Sequence, residues 1–418
     1  MTLDEWLAYI ERQHGQPIAL GLERVRAVKE VLGQTEFVPV VLIGGTNGKG
    51  STCALLECML RNAGYRTGLY TSPHLLRYNE RVRLSGRPVS DEALCAAFAR
   101  VEVARQSLGG LPLTYFEFGT LAAWEVFAAA GVDVIVLEVG MGGRLDATNV
   151  YEPDVSVVTT VDLDHMDWLG PDRESIGREK AGILRPAKPA IVGDPDPPRS
   201  LIDRAAAIGA DLKLIGRDFD AIGETMHWHY RSWRGQRAAL PWPALRGRVQ
   251  LRNAACALAV LDALAERLPV AQQELRRGLV EVDWPGRCQR LPGRPEIIVD
   301  VAHNPQAARV LAENLATMPP ARTWGLVGML RDKDIAATVA ALAGRIDRWL
   351  PLSLQGARGA TAAELARHLP AGAIEAACDD AATALAIARE RAGGDDRIVA
   401  FGSFLTVAEV LRALGRSV

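Results

Sequence analysis

The chain has 418 residues, of which 49% are hydrophobic and 23% charged, and its formal net charge is −2. This length allows two or three domains with sizeable cores, and the composition is that of an ordinary globular protein. The near-neutral charge supplies no positive field for nucleic acid or an anionic membrane, so we expect neither partner.

The six cysteines are dispersed and form no Cys-x-x-Cys pair, which predicts neither a disulfide framework nor a zinc knuckle. The first residues form an amphipathic pattern without the features of a signal peptide. No apolar run approaches the roughly 20 residues of a membrane span. The sequence therefore predicts a cytoplasmic protein.

A glycine-rich run with the sequence Gly-Thr-Asn-Gly-Lys-Gly-Ser occupies residues 45–51, between an apolar stretch and a helical pattern. Strand, glycine loop and helix form the context of a phosphate-binding loop, in which Lys49 can reach the terminal phosphates. Gly50 separates Lys49 from Ser51, unlike the standard pattern. The alternative is a turn without a ligand, which leaves a lysine within the turn unexplained. We predict a nucleoside triphosphate site.

Short apolar segments alternate with helical patterns up to about residue 285. This alternation predicts an α/β fold, a P-loop ATPase domain with a mostly parallel sheet and helices on both faces. The predicted strands after the phosphate loop are 67–70, 132–139, 154–159 and 189–192, and the predicted helices are near 90–107, 116–130 and 250–268.

Residues 211–240 predict a hairpin or small antiparallel sheet, because polar and aromatic residues alternate there. His227 and His229 share one face of such a strand. No carboxylate or cysteine accompanies them, so the alternatives are packing within the hairpin and a metal site.

Two Pro-Gly pairs between residues 283 and 296 predict an interdomain boundary. We predict a central domain with an N-terminal arm over 1–285, a linker over 286–296 and a smaller Rossmann-like α/β domain over 297–418. Strands of the second domain are predicted near 296–301, 323–328, 348–354 and 397–401.

Several polar side chains end apolar strands, where ligands collect in open α/β sheets. Glu138 lies inside the apolar run 135–139, and magnesium binding or a buried ion pair would explain it. Residues 162–168 combine three aspartates with His165, which indicates either a metal or phosphate environment or helix capping. Lysine is rare in the chain, so Lys49, Lys180 and Lys333 within motif-like segments are candidates for chemistry.

Seven strings of residues together resemble the Mur-ligase-like amide ligases, and more closely the bacterial bifunctional dihydrofolate synthase/folylpolyglutamate synthase family. The resemblance spans about residues 5 to 412. The strings occupy residues 45–51, 72–74, 113–117, 138–149, 164–165, 179–182 and 300–305.

The resemblance implies a role for each matching position. ATP would be held by Thr46, Asn47, Gly48, Lys49, Ser51, Asn253, Arg287 and Asp300. Magnesium, as two ions, would be held by Ser72, Glu138 and His165, together with a carbamate on Lys180. Dihydropteroate or a reduced folate would contact Arg12, Gln13, His14, Gly15, Thr114, Tyr115, Phe116, Glu117, Leu145, Asp146 and Ala147. L-glutamate would be placed by His303 and Ser403.

The implied reaction joins L-glutamate to dihydropteroate, or to tetrahydrofolate polyglutamates, through an acyl phosphate formed from ATP. No nucleophilic side chain is needed for it, which fits the lack of a Ser-His or Cys-His pattern. The alternatives are another Mur-type ligase acting on a cell-wall nucleotide precursor, a nucleotide switch and a small-molecule kinase. The expected quaternary structure is a monomer.

Overall fold

The computed structural model describes residues 1–16, 18–223 and 227–416. The chain forms two compact units, each with its own sheet. Unit 1 comprises Met1–Asp162, Leu169–Ala244 and Leu251–Val282, and unit 2 comprises Leu163–Trp168, Leu245–Gln250 and Asp283–Val418.

The large sheet of unit 1 has the strand order β4-β3-β2-β5-β1-β6-β7-β8. Strands β2, β5, β1, β6, β7 and β8 run parallel, and β3 and β4 add an antiparallel edge. The strands are β1 (Val40–Gly44), β2 (Thr67–Tyr70), β3 (Val82–Leu84), β4 (Arg87–Pro88), β5 (Val134–Glu138), β6 (Val155–Val158), β7 (Pro189–Val192) and β8 (Asp211–Leu214). The central strands are buried along their whole length, as expected of a sheet covered on both faces.

The helices follow the start and stop signals of the sequence. Helix α5, for example, begins with a capping box between Thr114 and Glu117 and ends at Gly131 in the left-handed conformation. The helices are α1 (Leu3–Glu11), α2 (Glu23–Leu32), α3 (Lys49–Asn62), α4 (Asp91–Ser107), α5 (Tyr115–Ala130), α6 (Met166–Leu169), α7 (Arg173–Lys180), α8 (Arg199–Ile208), α9 (Val249–Ala263), α10 (Gln272–Glu281), α11 (Pro305–Ala316), α12 (Ile335–Leu342), α13 (Ala362–Ala366), α14 (Ala381–Arg391) and α15 (Phe404–Ala413).

A small antiparallel sheet follows the large one in unit 1, with the order β11-β10-β9. Its strands are β9 (Phe219–Gly223), β10 (Trp228–Ser232) and β11 (Gly235–Leu240). The antiparallel sheet predicted for 211–240 therefore begins only at Phe219, because residues 211–214 instead form the edge strand β8 of the large sheet. The rings of His227 and His229 meet edge to face with centroids 5.1 Å apart.

The sheet of unit 2 has the order β12-β13-β16-β14-β15, with β12 antiparallel and the other strands parallel. Its strands are β12 (Gln289–Leu291), β13 (Glu296–Val299), β14 (Thr323–Val327), β15 (Arg348–Pro351) and β16 (Arg397–Phe401). Strand β12 lies within the predicted linker 286–296, because its backbone completes the open edge of β13. Among the helices of the described residues, we find none long and apolar enough to cross a membrane.

Candidate active site

The phosphate loop joins β1 to α3 and packs too tightly for side chains at two glycines. Gly45 has φ +141°, and a Cβ there would lie 1.9 Å from Thr159 Oγ1. Gly48 has φ +88°, and a Cβ there would lie 2.6 Å from Asn253 Oδ1. The structure thus brings Asn253 on α9 directly against the loop, as expected if both contact one nucleotide.

Two threonines that sequence analysis missed anchor this loop. Thr159 donates its hydroxyl to Asn47 O at 2.6 Å, and Thr160 Oγ1 accepts from Asn47 N at 3.2 Å. Thr46 Oγ1 donates to Asp162 O and accepts from Asp162 N, each at 3.0 Å. Both threonines directly follow β6, which is the parallel neighbour of β1 in the sheet. Their position at the end of a predicted strand was the sequence feature that could have identified them.

Lys49 begins α3, whose N-cap is Gly48 and carries no side-chain cap. The Lys49 ammonium donates to Gly45 O at 3.0 Å and to Thr46 O at 3.2 Å, so it folds back over the loop. Ser51 is buried in the first turn of the same helix. The first turn therefore offers backbone amides, a cation and a hydroxyl at one point, the set that binds phosphate.

Glu138 and Ser72 meet at the carboxyl end of the sheet. Glu138 ends β5 opposite Ile43 in the register, two residues before the phosphate loop. Ser72 N donates to Glu138 Oε2 at 3.0 Å. Burial raises the pKa of the Cys53 thiol. The charge of Glu138 adds to this rise and the charge of Lys49 opposes it, so both charged groups lie close enough to Cys53 to affect its titration.

A carboxylate and a hydroxyl are hard oxygen ligands, so the donors of Glu138 and Ser72 fit Mg²⁺. His165, the third residue predicted to bind the metal, has a nitrogen donor, which suits Mn²⁺ better than Mg²⁺. His165 lies in unit 2, on the segment Leu163–Trp168. Its backbone has φ +52°, an uncommon conformation for a residue other than glycine.

Lys180 is the last residue of α7 and its side chain is buried, with 3% of the residue exposed. The neighbouring Glu179 accepts from Arg144 through both its backbone oxygen and its carboxylate. The loop 140–145 therefore packs against the end of α7.

Asp146 and Phe116, both predicted to contact the pterin-benzoate substrate, flank Gly140. A Cβ on Gly140 would lie 2.7 Å from Phe116 Cζ and 3.1 Å from Asp146 Oδ2. Asp146 also caps the short 3₁₀-helix Ala147–Val150. Burial raises the pKa of the Asp146 carboxyl, although hydrogen bonds from Thr148 oppose the rise.

Other residues predicted for this substrate already make structural contacts. Glu117 accepts from Thr114 N at 2.7 Å and from Arg24 Nη2 at 2.8 Å, which gives it a structural role in starting α5. The arm residues lie after α1, and the arm joins the loop at Leu145, whose carbonyl accepts from Gly21 N at 3.4 Å. The arm residues are Arg12, Gln13, His14 and Gly15.

In unit 2, Asp300 follows β13 and accepts from Cys288 N and Ala302 N, each at 2.8 Å. Burial raises the pKa of this carboxyl, and the charge of Arg287 opposes the rise. The Arg287 guanidinium lies 5.2 Å from the centre of the Phe404 ring. Arg287 and Asp300, both predicted to contact the nucleotide, therefore lie close enough for their charges to interact.

Ser403 is buried and caps α15, with its hydroxyl accepting from Thr406 N at 2.9 Å. His303 lies near it, since its ring is 6.3 Å from that of Phe404. The contacts of Ser403 are thus those of a helix cap.

A charged cluster in unit 2 contains Lys333, which sequence analysis named as a candidate for chemistry but to which we gave no specific role. Lys333 Nζ lies 2.6 Å from Asp164 Oδ1, and Asn304 Nδ2 donates to Asp164 Oδ2 at 3.0 Å. His303 Nε2 lies 3.5 Å from the same carboxylate. Burial raises the pKa of Asp164, but His303 and the charge of Lys333 outweigh it and hold the pKa well below its usual range. The rarity of lysine in the chain was the sequence feature that pointed to Lys333.

Comparison with known families gives one match in each part of the chain. Residues 43–261 match the Mur ligase middle domain, and residues 286–404 match the Mur ligase glutamate ligase domain. The chain is 46% identical to the dihydrofolate synthase/folylpolyglutamate synthase of Escherichia coli over 99% of this chain and 95% of that protein. It is 40% identical to the Haemophilus influenzae protein of the same name, over 97% and 96%.

Two solved structures are similar over nearly the whole chain. E. coli FolC in complex with DHPP and ADP superposes with a TM-score of 0.94 at 45% identity, covering 99% of this chain and 98% of that one. The Yersinia pestis bifunctional folylpolyglutamate synthase/dihydrofolate synthase, with AMPPNP and Mn ion, gives 0.92 at 46%, covering 100% and 98%.

These similarities confirm the α/β fold class and the resemblance drawn from the motifs. They also favour the folate enzymes over ligases of cell-wall precursors. The chain is a Mur-type ligase and belongs to the dihydrofolate synthase/folylpolyglutamate synthase family.

Proposed function

We propose that the chain joins L-glutamate to dihydropteroate, forming dihydrofolate, and to tetrahydrofolate polyglutamates, using ATP. A similar enzyme was solved with Mn, AMPPNP and L-glutamate, at 46% identity, and another with DHPP and ADP. The observation that carries the proposal is the phosphate loop beside Glu138 and Ser72 at one end of the sheet. That arrangement suits transfer of a phosphoryl group to a carboxylate.

The nucleotide phosphates would lie on the loop amides of residues 46–51, with Asn253 against Gly48. Lys49 would exchange its contacts with Gly45 O and Thr46 O for contacts with phosphate oxygens. Arg287 and Asp300 would contribute from unit 2. A divalent cation held by Ser72, Glu138 and His165 would offset phosphate charge.

Lys180 would carry a carbamate and help hold a second cation. Its burial supports this role, because a carbamate at this position would be shielded from bulk water. Addition of carbon dioxide to the neutral amine forms an N–C bond, and loss of one proton to solvent leaves an anion with two oxygen donors, the ligand type that magnesium prefers.

In the first step, a substrate carboxylate oxygen attacks the γ-phosphorus of ATP, and the bond to the bridging oxygen breaks to release ADP. In the second, the amine of L-glutamate attacks the acyl carbon, and inorganic phosphate leaves. Alignment of the reacting groups can contribute about 7–11 kcal/mol to such steps. His303 and Ser403 would place the incoming glutamate.

The pterin-benzoate part of the substrate would lie along Phe116, Asp146 and the start of α5. Phe116 and Asp146 already flank one glycine, which supports a common binding surface. The remaining residues proposed for it are Arg12, Gln13, His14, Gly15, Thr114, Tyr115, Glu117, Leu145 and Ala147.

Product analysis tests this function. Purified protein with ATP, Mg²⁺, dihydropteroate and L-glutamate should release phosphate, and mass spectrometry should find dihydrofolate. Tetrahydrofolate should give products longer by one or more glutamates. Phosphate release that is independent of glutamate would indicate a kinase, and turnover only with a cell-wall nucleotide precursor would indicate the other Mur-type activity.

We also propose a monomer in a reducing cytoplasm. All six cysteines are free thiols in the structure, which suits a reducing compartment. Light scattering should give a mass near 45.1 kDa with and without substrates.

A further inference from the structure

Arg81 is a cation without an acidic partner beside the proposed substrate site. It ends the 3₁₀-helix Tyr78–Arg81, just before β3. Among the described residues, no carboxylate lies within ion-pairing distance of it. Its neighbour Arg77, by contrast, pairs with Asp91 at 2.9 Å.

Aromatic and imidazole groups hold the Arg81 side chain in place. Its guanidinium carbon lies 5.3 Å from the centre of the Tyr78 ring and 5.4 Å from that of Tyr115. Its Nε donates to His74 Nδ1 at 2.9 Å. A guanidinium held at its Nε and over two rings keeps its terminal N–H groups in a defined direction, which suits binding of a carboxylate.

The position of Arg81 connects the two parts of the proposed site. Its backbone oxygen accepts from Thr71 N at 2.9 Å, next to Ser72. Tyr115, which it contacts, precedes Phe116, and the Phe116 ring lies 5.7 Å from that of Tyr70 at the end of β2. Arg81 therefore lies between Ser72, proposed to bind the metal, and Tyr115 and Phe116, proposed to contact the ring system of the substrate.

The chemistry of the two substrates decides which carboxylate such a cation would bind. Dihydropteroate has one carboxylate, and it must attack ATP. A folate with a glutamate tail has a second carboxylate at its terminal residue, which does not react. A tight guanidinium pair would stabilise the attacking carboxylate in the ground state and so slow the attack. The non-reacting carboxylate has no such conflict.

We propose that Arg81 binds the non-reacting carboxylate of the terminal glutamate and is a specificity residue that separates tailed folates from dihydropteroate. The inference rests on the proposed function. It also assigns a role to His74, a residue of the string 72–74 to which we had given no function: His74 orients Arg81.

The test compares both substrates in Arg81→Met, which keeps the packing against the two tyrosines. For tetrahydrofolate, we expect affinity and kcat/KM to fall by about 10- to 100-fold, as for loss of a hydrogen bond to a charged group. For dihydropteroate, both should stay within about threefold. Arg81→Lys should recover part of the tetrahydrofolate affinity, because it keeps the charge.

Arg77→Met is the matched control, since Arg77 is exposed and already paired with Asp91. This variant should leave affinity and kcat/KM unchanged for both substrates. Equal losses for both substrates in Arg81→Met, or no loss for tetrahydrofolate, would overturn the inference. Wild-type turnover of both substrates tests the proposed function separately.

A binding measurement on the wild-type protein guards against misfolding of the variant. Tetrahydrofolate should bind at least tenfold more tightly than tetrahydropteroate, which has the same ring system without the glutamate tail. Equal affinity for the two would also overturn the inference.

Discussion

At the scale of single residues, close backbone packing determines the phosphate loop. Gly48 combines a positive φ with direct contact to Asn253, so any side chain meets two separate penalties. Gly64 has φ +91° but open space around it, so it carries only the first penalty. A comparison of the two glycines therefore separates the effect of backbone strain from the effect of crowding at the proposed nucleotide site.

We expect Gly48→Ala to lose nucleotide binding, because its methyl group displaces Asn253 and deforms the loop. Gly64→Ala should lose about 1 kcal/mol of stability from its left-handed conformation and bind nucleotide normally. Calorimetric titration with AMPPNP and chemical unfolding of both variants measure this. Normal affinity in Gly48→Ala would contradict the crowding argument.

Lys180 gives a second prediction at this scale. Lys180→Ala removes the proposed carbamate, so ligation should fall at least 100-fold while the fold persists. Short carboxylic acids should restore part of the rate, because they can occupy the vacated space and supply oxygen ligands. Rates with and without acetate or propionate measure this, with Lys188→Ala, at a partly exposed surface pair, as the control. Failure of every acid to restore activity would remove the support for a carbamate.

At the scale of elements, one buried carboxylate joins the small sheet to α9. Asp262 accepts from Tyr230 OH at 3.0 Å, Ser232 Oγ at 2.5 Å and Arg237 Nη2 at 2.8 Å. The same helix carries Asn253 to the phosphate loop. The small sheet thus helps to fix the helix that carries Asn253, one of the residues proposed to contact the nucleotide.

Asp262→Ala should destabilise the protein by about 3–5 kcal/mol, because it leaves a partly buried arginine and two hydroxyls without their acceptor. Glu266→Gln, just beyond the same helix, removes only an exposed ion pair with Arg234 and should change stability by less than about 0.5 kcal/mol. Denaturant unfolding of both variants gives the two values. A loss below about 1 kcal/mol for Asp262→Ala would show that the network contributes little.

At the scale of the whole molecule, ligand binding and stability are linked. A nucleotide that binds only the folded chain at one hundred times its Kd should add about 2.7 kcal/mol of stability. Calorimetric scans with AMPPNP and Mg²⁺ should therefore show a higher melting temperature for the wild type. Lys49→Ala should melt near the wild type without ligand and show no such shift. A full shift in this variant would mean that Lys49 does not contact the nucleotide.

Local patterns predicted much of this architecture because they depend on neighbouring residues alone. The strand before residues 45–51, the buried runs of β5 and β6 and the helix near 116–130 are properties of short segments. Strand β12 was missed, since a three-residue edge strand depends on β13 for its pairing. Edge strand β8 was missed for the same reason.

The sequence by itself determined the phosphate loop, the fold class and the family, because glycine spacing, hydrophobic periodicity and long motif strings are written along the chain. Only the tertiary structure placed Thr159 and Thr160 against Asn47, Lys333 against Asp164, and Arg81 between two tyrosine rings. These contacts join residues far apart in the chain, or depend on the direction of a side chain. Such distances and directions are set when sheets and helices pack, and no local pattern encodes them.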